Sequence, residues 1–316
     1  MKRIAGLLVA GVLGASLAGF ALPGVAVTGW AVMKKLSGQA EYCPWSGTFR
    51  FVSTADELSQ LVDDSRAAEH VIEKDDERGL KKVATAWGRA FWVQQLDSNA
   101  HSVGFAWLIG EHRWEELHNA ADQVKRGDVV LDCGAHVGVF TFRALRRGAS
   151  KVVAIEPDPS NVECIRRNFK LEIDEGRVVV MPVGVWSKEG TMQLSLGQGH
   201  NTGLNSLVMQ QGGSSIEVPV KTVDQLVAEL GLKRVDYIKM DIEGAEREAL
   251  RGAAATIRSH GPTIMLDLNH RPDDGKVLPE VIRAARADYG FECGPCQLAD
   301  NKTNLIPHLV YFRSGR

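Results

Sequence analysis

Asp128-Val-Val-Leu-Asp-Cys-Gly-Ala-His-Val-Gly138 is the stretch that decides the fold. Val129–Leu131 is a short, wholly apolar run, as expected of a strand buried in a parallel sheet. The run stops at Asp132, two glycines follow (Gly134 and Gly138), and apolar residues then recur at Val139, Phe140 and Leu145. The reading is strand, tight turn, helix. Glycines let the backbone pass close to a ligand, and the new helix points its free N–H groups at it. Twenty-four residues beyond Asp132, the run Lys151–Ile155 ends in Glu156. A carboxylate at the tip of a second strand can accept hydrogen bonds from both hydroxyls of a ribose. Together these features imply a nucleoside-bearing cofactor. The glycine spacing is D-x-G-x-x-x-G, which differs from the G-x-G-x-x-G of a pyrophosphate cradle.

Downstream, strands and helices alternate. A capping box at Ser160–Glu163 predicts a helix to about Lys170. Arg177–Val185 is a third apolar run. Met192–Leu196 and Ile216–Val220 read as short strands around the polar loop Gly197–Ser215. Thr222–Gln225 caps the next helix. Val235–Met240 ends in Asp241, Ala245–Arg251 is a helix stopped by Gly252, and Thr263–Leu268 ends at Asn269-His270. Leu309–Phe312 is the final strand. This alternation predicts an α/β fold with a doubly wound, mostly parallel sheet that binds its ligand at the strands' carboxyl ends. Asp132, Glu156, Asp241 and His270 would then share one rim.

Upstream, residues 37–104 read as a helical extension. Thr54-Ala-Asp-Glu57 has the form of a capping box, and Val83, Trp87, Phe91 and Trp92 recur at helical spacing. Ile4–Met33 is uncharged and is flanked by Lys2-Arg3 and Lys34-Lys35. As a helix it would measure roughly 45 Å against a hydrocarbon core of about 30 Å. Residues 1–36 are therefore a transmembrane anchor or a signal segment. The apolar run continues past the small-residue cleavage site at Gly19–Ala21, which favours the anchor.

The chain has 316 residues and a formal net charge of −2, with no basic field for nucleic acid. Its five cysteines (43, 133, 164, 293 and 296) are irregularly spaced and predict no disulfide framework. Cys293-Gly-Pro-Cys296 reads as a structural turn rather than a redox pair.

Five blocks, in this order and spacing, resemble the FkbM family of methyltransferases. They are Asp128–Thr141, Glu156–Asn161, Gly203-Leu-Asn-Ser-Leu207, Val220-Lys-Thr-Val-Asp224 and Asp236-Tyr-Ile-Lys-Met-Asp-Ile-Glu-Gly-Ala-Glu246. The resemblance covers roughly residues 105–270. It implies a methyltransferase domain over 105–316, with a seven-stranded sheet whose last strand is antiparallel. It also implies S-adenosylmethionine as cofactor and methylation of a hydroxyl, often on sugars, glycans or natural products; the expected partner is a small-molecule, glycan or lipid-linked acceptor. Cofactor contacts would fall to Asp132, Gly134, His136, Gly138, Glu156, Pro157, Gly184, Val185 and Asp241. His136 stands where members commonly have Asn. A hydroxyl acceptor needs a proton acceptor, for which Asp241, Glu243 and His270 are the candidates in that order. A Mg²⁺ on Asp241 and Asp267 has no clear ligand set in the spacing.

Two competing functions fit parts of the pattern. One is a non-catalytic scaffold or sensor at a membrane. The other is a nicotinamide-dependent oxidoreductase, which Glu156 would also suit. The place where the cofactor is made puts the expected catalytic domain on the cytoplasmic side of a single-pass anchor.

Overall fold

The computed structural model describes residues 32–38, 43–95, 105–118, 124–197, 202–210, 212–268, 270–294, 296–298, 305–307 and 309–315. The anchor or signal segment read for residues 1–36 lies outside these except for 32–36, and Asn269 also lies outside them. Among the described residues no helix is long and apolar enough to cross a membrane.

The expected helical extension is only partly helical. Helix α1 (Trp45–Ala68) is followed by β1 (His70–Asp75), β2 (Leu80–Ala84) and β3 (Phe91–Gln94), then by α2 (Phe105–His118). The three strands form an antiparallel meander in the order β1-β2-β3. Val83, Phe91 and Trp92 are thus strand residues around a turn. Gly88, at φ +76°, donates its N–H to the Thr85 carbonyl there, a backbone geometry no helix contains. Thr54–Glu57 lies inside α1, which starts at Trp45 after Pro44, so it does not mark a helix start. The meander is fastened to the rest of the chain by Asn168. Its side chain accepts from Trp92 N–H and donates to the Trp92 and Val137 carbonyls.

The main unit runs β4 (Val129–Cys133), α3 (Val139–Arg146), β5 (Lys151–Ile155), α4 (Pro159–Asn168), α5 (Lys170–Asp174), β6 (Val178–Met181), β7 (Gly184–Val185), β8 (Gly190–Gly197) and β9 (Gly212–Lys221). It continues with α6 (Val223–Glu229), β10 (Tyr237–Met240), α7 (Glu246–Arg251), α8 (Ala254–His260), β11 (Thr263–Leu266), α9 (Asp274–Ala285), β12 (Tyr289–Cys293), β13 (Cys296–Leu298), β14 (Leu305–Pro307) and β15 (Val310–Ser314). Seven strands make one sheet in the order β12-β15-β11-β10-β4-β5-β6. Only β15 runs antiparallel to its neighbours.

Strand alternation puts successive residues on opposite faces. Leu131, Val153, Ile238 and Ile264 pack with Leu226, Leu250, Ile257 and Leu278 of the helices on one side. Val130, Val152, Tyr237 and Met265 pack with Phe140 and Ala144 of α3 on the other. From β4 the chain winds outward to β5 and β6, then restarts at β10 on the opposite flank. The reversal between β4 and β10 is the topological switch point, where such sheets open a crevice.

Helix starts follow local chemistry. Asp158, rather than Ser160, caps α4: its carboxylate accepts from Ser160 N–H, and Pro159 fills the first turn. Thr222 and Gln225 form the expected capping box on α6. Thr222→Ala is therefore expected to lower stability by about 1 kcal/mol. This would read as a lower urea midpoint at unchanged slope; an unmoved midpoint would mean the cap contributes nothing.

The cysteine expectation needs one correction: Cys43 and Cys296 are joined by a disulfide. The partners are 253 residues apart in sequence, so spacing carried no sign of the pairing. Cys133, Cys164 and Cys293 are free thiols, and the segment between β12 and β13 carries the chain from Cys293 to Cys296.

Candidate active site

A cleft opens at the switch point, at the carboxyl ends of β4, β5 and β10. Its floor is the turn after β4. Gly134 has φ +75°, and a Cβ there would lie 2.1 Å from the Asp241 carbonyl oxygen. No side chain fits, so the turn stays thin enough for the backbone to face the cleft. Gly134 and Ala135 donate their N–H groups to the Ile155 carbonyl, tying the turn to β5.

Glu156 is the cleft's most constrained carboxylate. One oxygen accepts the His136 N–H at 2.8 Å, and the other accepts the Asp158 N–H at 3.0 Å. Burial pushes its carboxyl up to about 7, against the pull of those N–H groups. His136 is pushed the other way. Burial, with the Lys239 cation next, takes its imidazole down to about 4, so it is neutral at physiological pH.

Of the residues read from sequence, Gly134, His136, Glu156, Pro157, Gly184, Val185, Asp241 and Glu243 all line this cleft. Two do not. Gly138 starts α3, and a Cβ there would meet the Phe169 ring at 2.3 Å, so it serves packing. Asp132 is fully buried beneath the glycine turn. It accepts the Thr141 hydroxyl at 2.7 Å and faces Lys239 Nζ at 3.6 Å. Strand alternation explains this, since Asp132 pairs across the ladder with Lys239 and points into the protein with it.

Lys239 is the residue that sequence reasoning missed. Its ammonium donates to the Gly134 carbonyl at 2.7 Å. Burial alone would push it down, but the surrounding charges, Asp132 foremost and then Asp241, hold it above the usual lysine range. The signal was a lysine inside the apolar strand Tyr237–Met240. The loop after β8, which carries the Gly203–Leu207 block read from the sequence, also contributes to the site. Gly203, Asn205 and Leu207 form one wall of the cleft. Asn205 donates to Asp158 at 2.8 Å, and the Ser206 hydroxyl donates to the Glu243 carbonyl at 2.7 Å. The loop thereby bridges the β5 and β10 sides.

The acidic corner is built by the turn Asp241-Ile-Glu-Gly-Ala. Glu243 adopts φ +52° and Gly244 φ +92°, which bends the chain sharply enough to set Asp241 and Glu243 on one side. Burial raises the Glu243 carboxyl above its usual range. His270, with a side chain only 7% exposed, faces both carboxylates from outside the cleft lining. Its Nε2 lies 3.7 Å from Asp241 and 3.6 Å from Glu243, and its Nδ1 lies 3.0 Å from Glu246. Burial opposes charge on this ring, yet Glu243 and Glu246 overcome it and hold the imidazole up to about 12.

A profile of the family described as Methyltransferase FkbM domain matches residues 132–293, just over half of the chain. Methyltransferase sdnD of Sordaria araneosa is 26% identical over 154 residues, covering 39% of this chain and 59% of that protein. The 31-O-demethyl-FK506 methyltransferase FkbM of Streptomyces tacrolimicus is 27% identical over 197 residues, covering 54% of this chain and 74% of its own. Hexuronic acid methyltransferase AglP of Haloferax volcanii is 25% identical over 205 residues, covering 61% and 82%. The match to sdnD spans less than two thirds of that protein's length.

Proposed function

The chain belongs to the FkbM methyltransferase family, and from that premise we propose that it transfers a methyl group from S-adenosylmethionine to a hydroxyl of a small-molecule or glycan acceptor. The observation that carries this reading is the convergence of the Gly134 turn, Glu156 and the Asp241–Glu243 turn on one cleft.

The residues fit the donor. A floor without side chains at Gly134 admits its backbone-hugging part, Glu156 accepts its ribose hydroxyls, and Gly184-Val185 flank its base. The donor's sulfonium supplies an activated methyl and its own leaving group. What remains for the protein is alignment and proton removal. Alignment comes from a rigid cleft in which Lys239, Ser206 and Glu156 fix the three contributing turns. Asp241 and Glu243 are the proton acceptors, since both line the cleft and His270 does not. A sugar hydroxyl suits the acidic corner, and the names of the relatives, one a hexuronic acid methyltransferase, support that choice.

Ile4–Met33 anchors the unit to a membrane in this proposal, with the cleft on the cytoplasmic side where the donor is made. The Cys43–Cys296 disulfide weighs against that side, because disulfides persist in oxidising compartments. Thiol alkylation in intact cells decides between them: a labelled Cys43 supports the cytoplasmic side, and a protected one overturns it.

Calorimetric titration of the full chain with S-adenosylmethionine and with NADH tests the central reading. Binding of the first alone is expected, followed by label transfer from methyl-labelled donor into a carbohydrate fraction. Binding of NADH alone, or of neither, would refute methyl transfer.

A further inference from the structure

We propose that Arg271 receives an anionic group of the acceptor, so that the molecule methylated carries a carboxylate or phosphate close to its reacting hydroxyl. The substrate class named here rests on the methyl-transfer reading, whereas the position of the arginine does not.

Arg271 lies between β11 and α9, at the acidic end of the cleft but outside its lining. Its main chain is fixed. The N–H donates to the Asp274 carboxylate at 2.9 Å, and the carbonyl accepts the Asp274 N–H at 3.1 Å. The side chain reaches back to the turn after β10. A Cβ built on Gly244 would lie 3.6 Å from the Arg271 Nε, 3.1 Å from Val208 Cγ2 and 3.7 Å from Met209 Cγ. The guanidinium therefore sits against bare backbone, beside two apolar side chains. Gly244 and Val208 each come one residue after a residue of the cleft lining, Glu243 and Leu207. With φ at +92°, Gly244 disfavours any side chain that would fill this place.

The charge is uncommitted. Four described arginines have a guanidinium that makes no ion pair or hydrogen bond with a described residue. Of these, Arg126, Arg166 and Arg258 are exposed and only Arg271 is half-buried. The acids nearest to it in sequence are taken, since Asp273 and Asp274 both pair with Arg247. A guanidinium stays charged at physiological pH and presents a planar fork that matches carboxylate and phosphate oxygens. Half-burying it without an acid partner costs hydration, and a bound anion offsets that cost.

The neighbouring carboxylates give the arginine a purpose. Asp241 and Glu243 repel an anionic acceptor from the place where its hydroxyl must lose a proton. A cation just outside them turns that repulsion into alignment, with the acid group outward on Arg271 and the hydroxyl inward on the carboxylates.

The test uses the full chain, methyl-labelled S-adenosylmethionine, and a small-molecule and glycan extract split by anion exchange into neutral and acidic fractions. Label is expected in the acidic fraction. Prior reduction of carboxyl groups to alcohols should abolish it if the anion is a carboxylate, and prior phosphatase treatment if it is a phosphate. Label that survives both treatments, or that enters only the neutral fraction, would overturn the assignment and leave methyl transfer standing. No label in either fraction would sink methyl transfer and this inference with it. Arg271→Met should raise the half-saturating amount of the acidic fraction about 10–100-fold, the loss of a charge-assisted pair. Maximal rate and affinity for S-adenosylmethionine should stay unchanged. Arg271→Lys should recover part of the loss through charge without the fork. An unmoved half-saturating amount in Arg271→Met would overturn the assignment. So would a loss of donor affinity, which would mean that the residue only holds the cleft together.

Discussion

Lys239→Met is expected to lower the unfolding free energy by about 3–5 kcal/mol, the cost of stranding a buried charge. Asp132 is fully buried, and Lys239 is its only cationic neighbour among the described ion pairs. At the 2–4 °C per kcal/mol typical of larger domains, the melting temperature should fall by roughly 10 °C. The same change removes the donor to the Gly134 carbonyl, so the floor of the cleft loosens and cofactor affinity falls with stability. Adding Asp132→Asn should restore much of the loss, because asparagine still accepts the Thr141 hydroxyl but carries no charge. Thermal unfolding followed by circular dichroism checks both. A single-variant loss below about 1 kcal/mol would mean that this ion pair does not organise the strand ends.

That pair also shows where sequence reading stops. Parallel strands announce themselves as apolar runs, and a polar residue ending each run marks the rim, so Glu156 and Asp241 were legible at once. Which way a strand-end side chain points depends on register. Asp132 looked equivalent to Glu156 in sequence, but its pairing with Lys239 turns it inward, whereas Glu156 lies one residue past the end of β5 and faces the cleft. The N-terminal meander was misread for a different reason. Residues 83, 87, 91 and 92 satisfy helical spacing as well as they satisfy two strands, and only the positive φ of Gly88 separates the two. The disulfide and the Glu246–His270 contact are longer-range still. They join segments that neither periodicity nor local turn chemistry brings together.

Glu156→Ala should weaken S-adenosylmethionine binding by about 10²–10³-fold. Two hydroxyl-to-carboxylate hydrogen bonds, each worth roughly 1.5–3 kcal/mol, would be lost, less what water recovers. The pH dependence sharpens the test. Burial raises the Glu156 carboxyl from 4.5 to about 7 in the free protein. The folded chain therefore keeps this proton where the unfolded chain has released it. The group's contribution to stability is fully present below pH 4.5 and is lost as pH rises through about 7. Ribose hydroxyls donate best to the ionised form, so donor affinity should move the opposite way, rising across the same window. Glu156→Gln should flatten both trends while keeping the shape of the side chain and its acceptor for the His136 N–H. Calorimetry at pH 5.5, 6.5 and 7.5 measures the affinity, and melting temperatures at the same values measure the stability. An affinity that falls with pH in the native chain, or a glutamine variant with the native slope, would remove Glu156 from the ribose and leave the nucleoside without its principal acceptor.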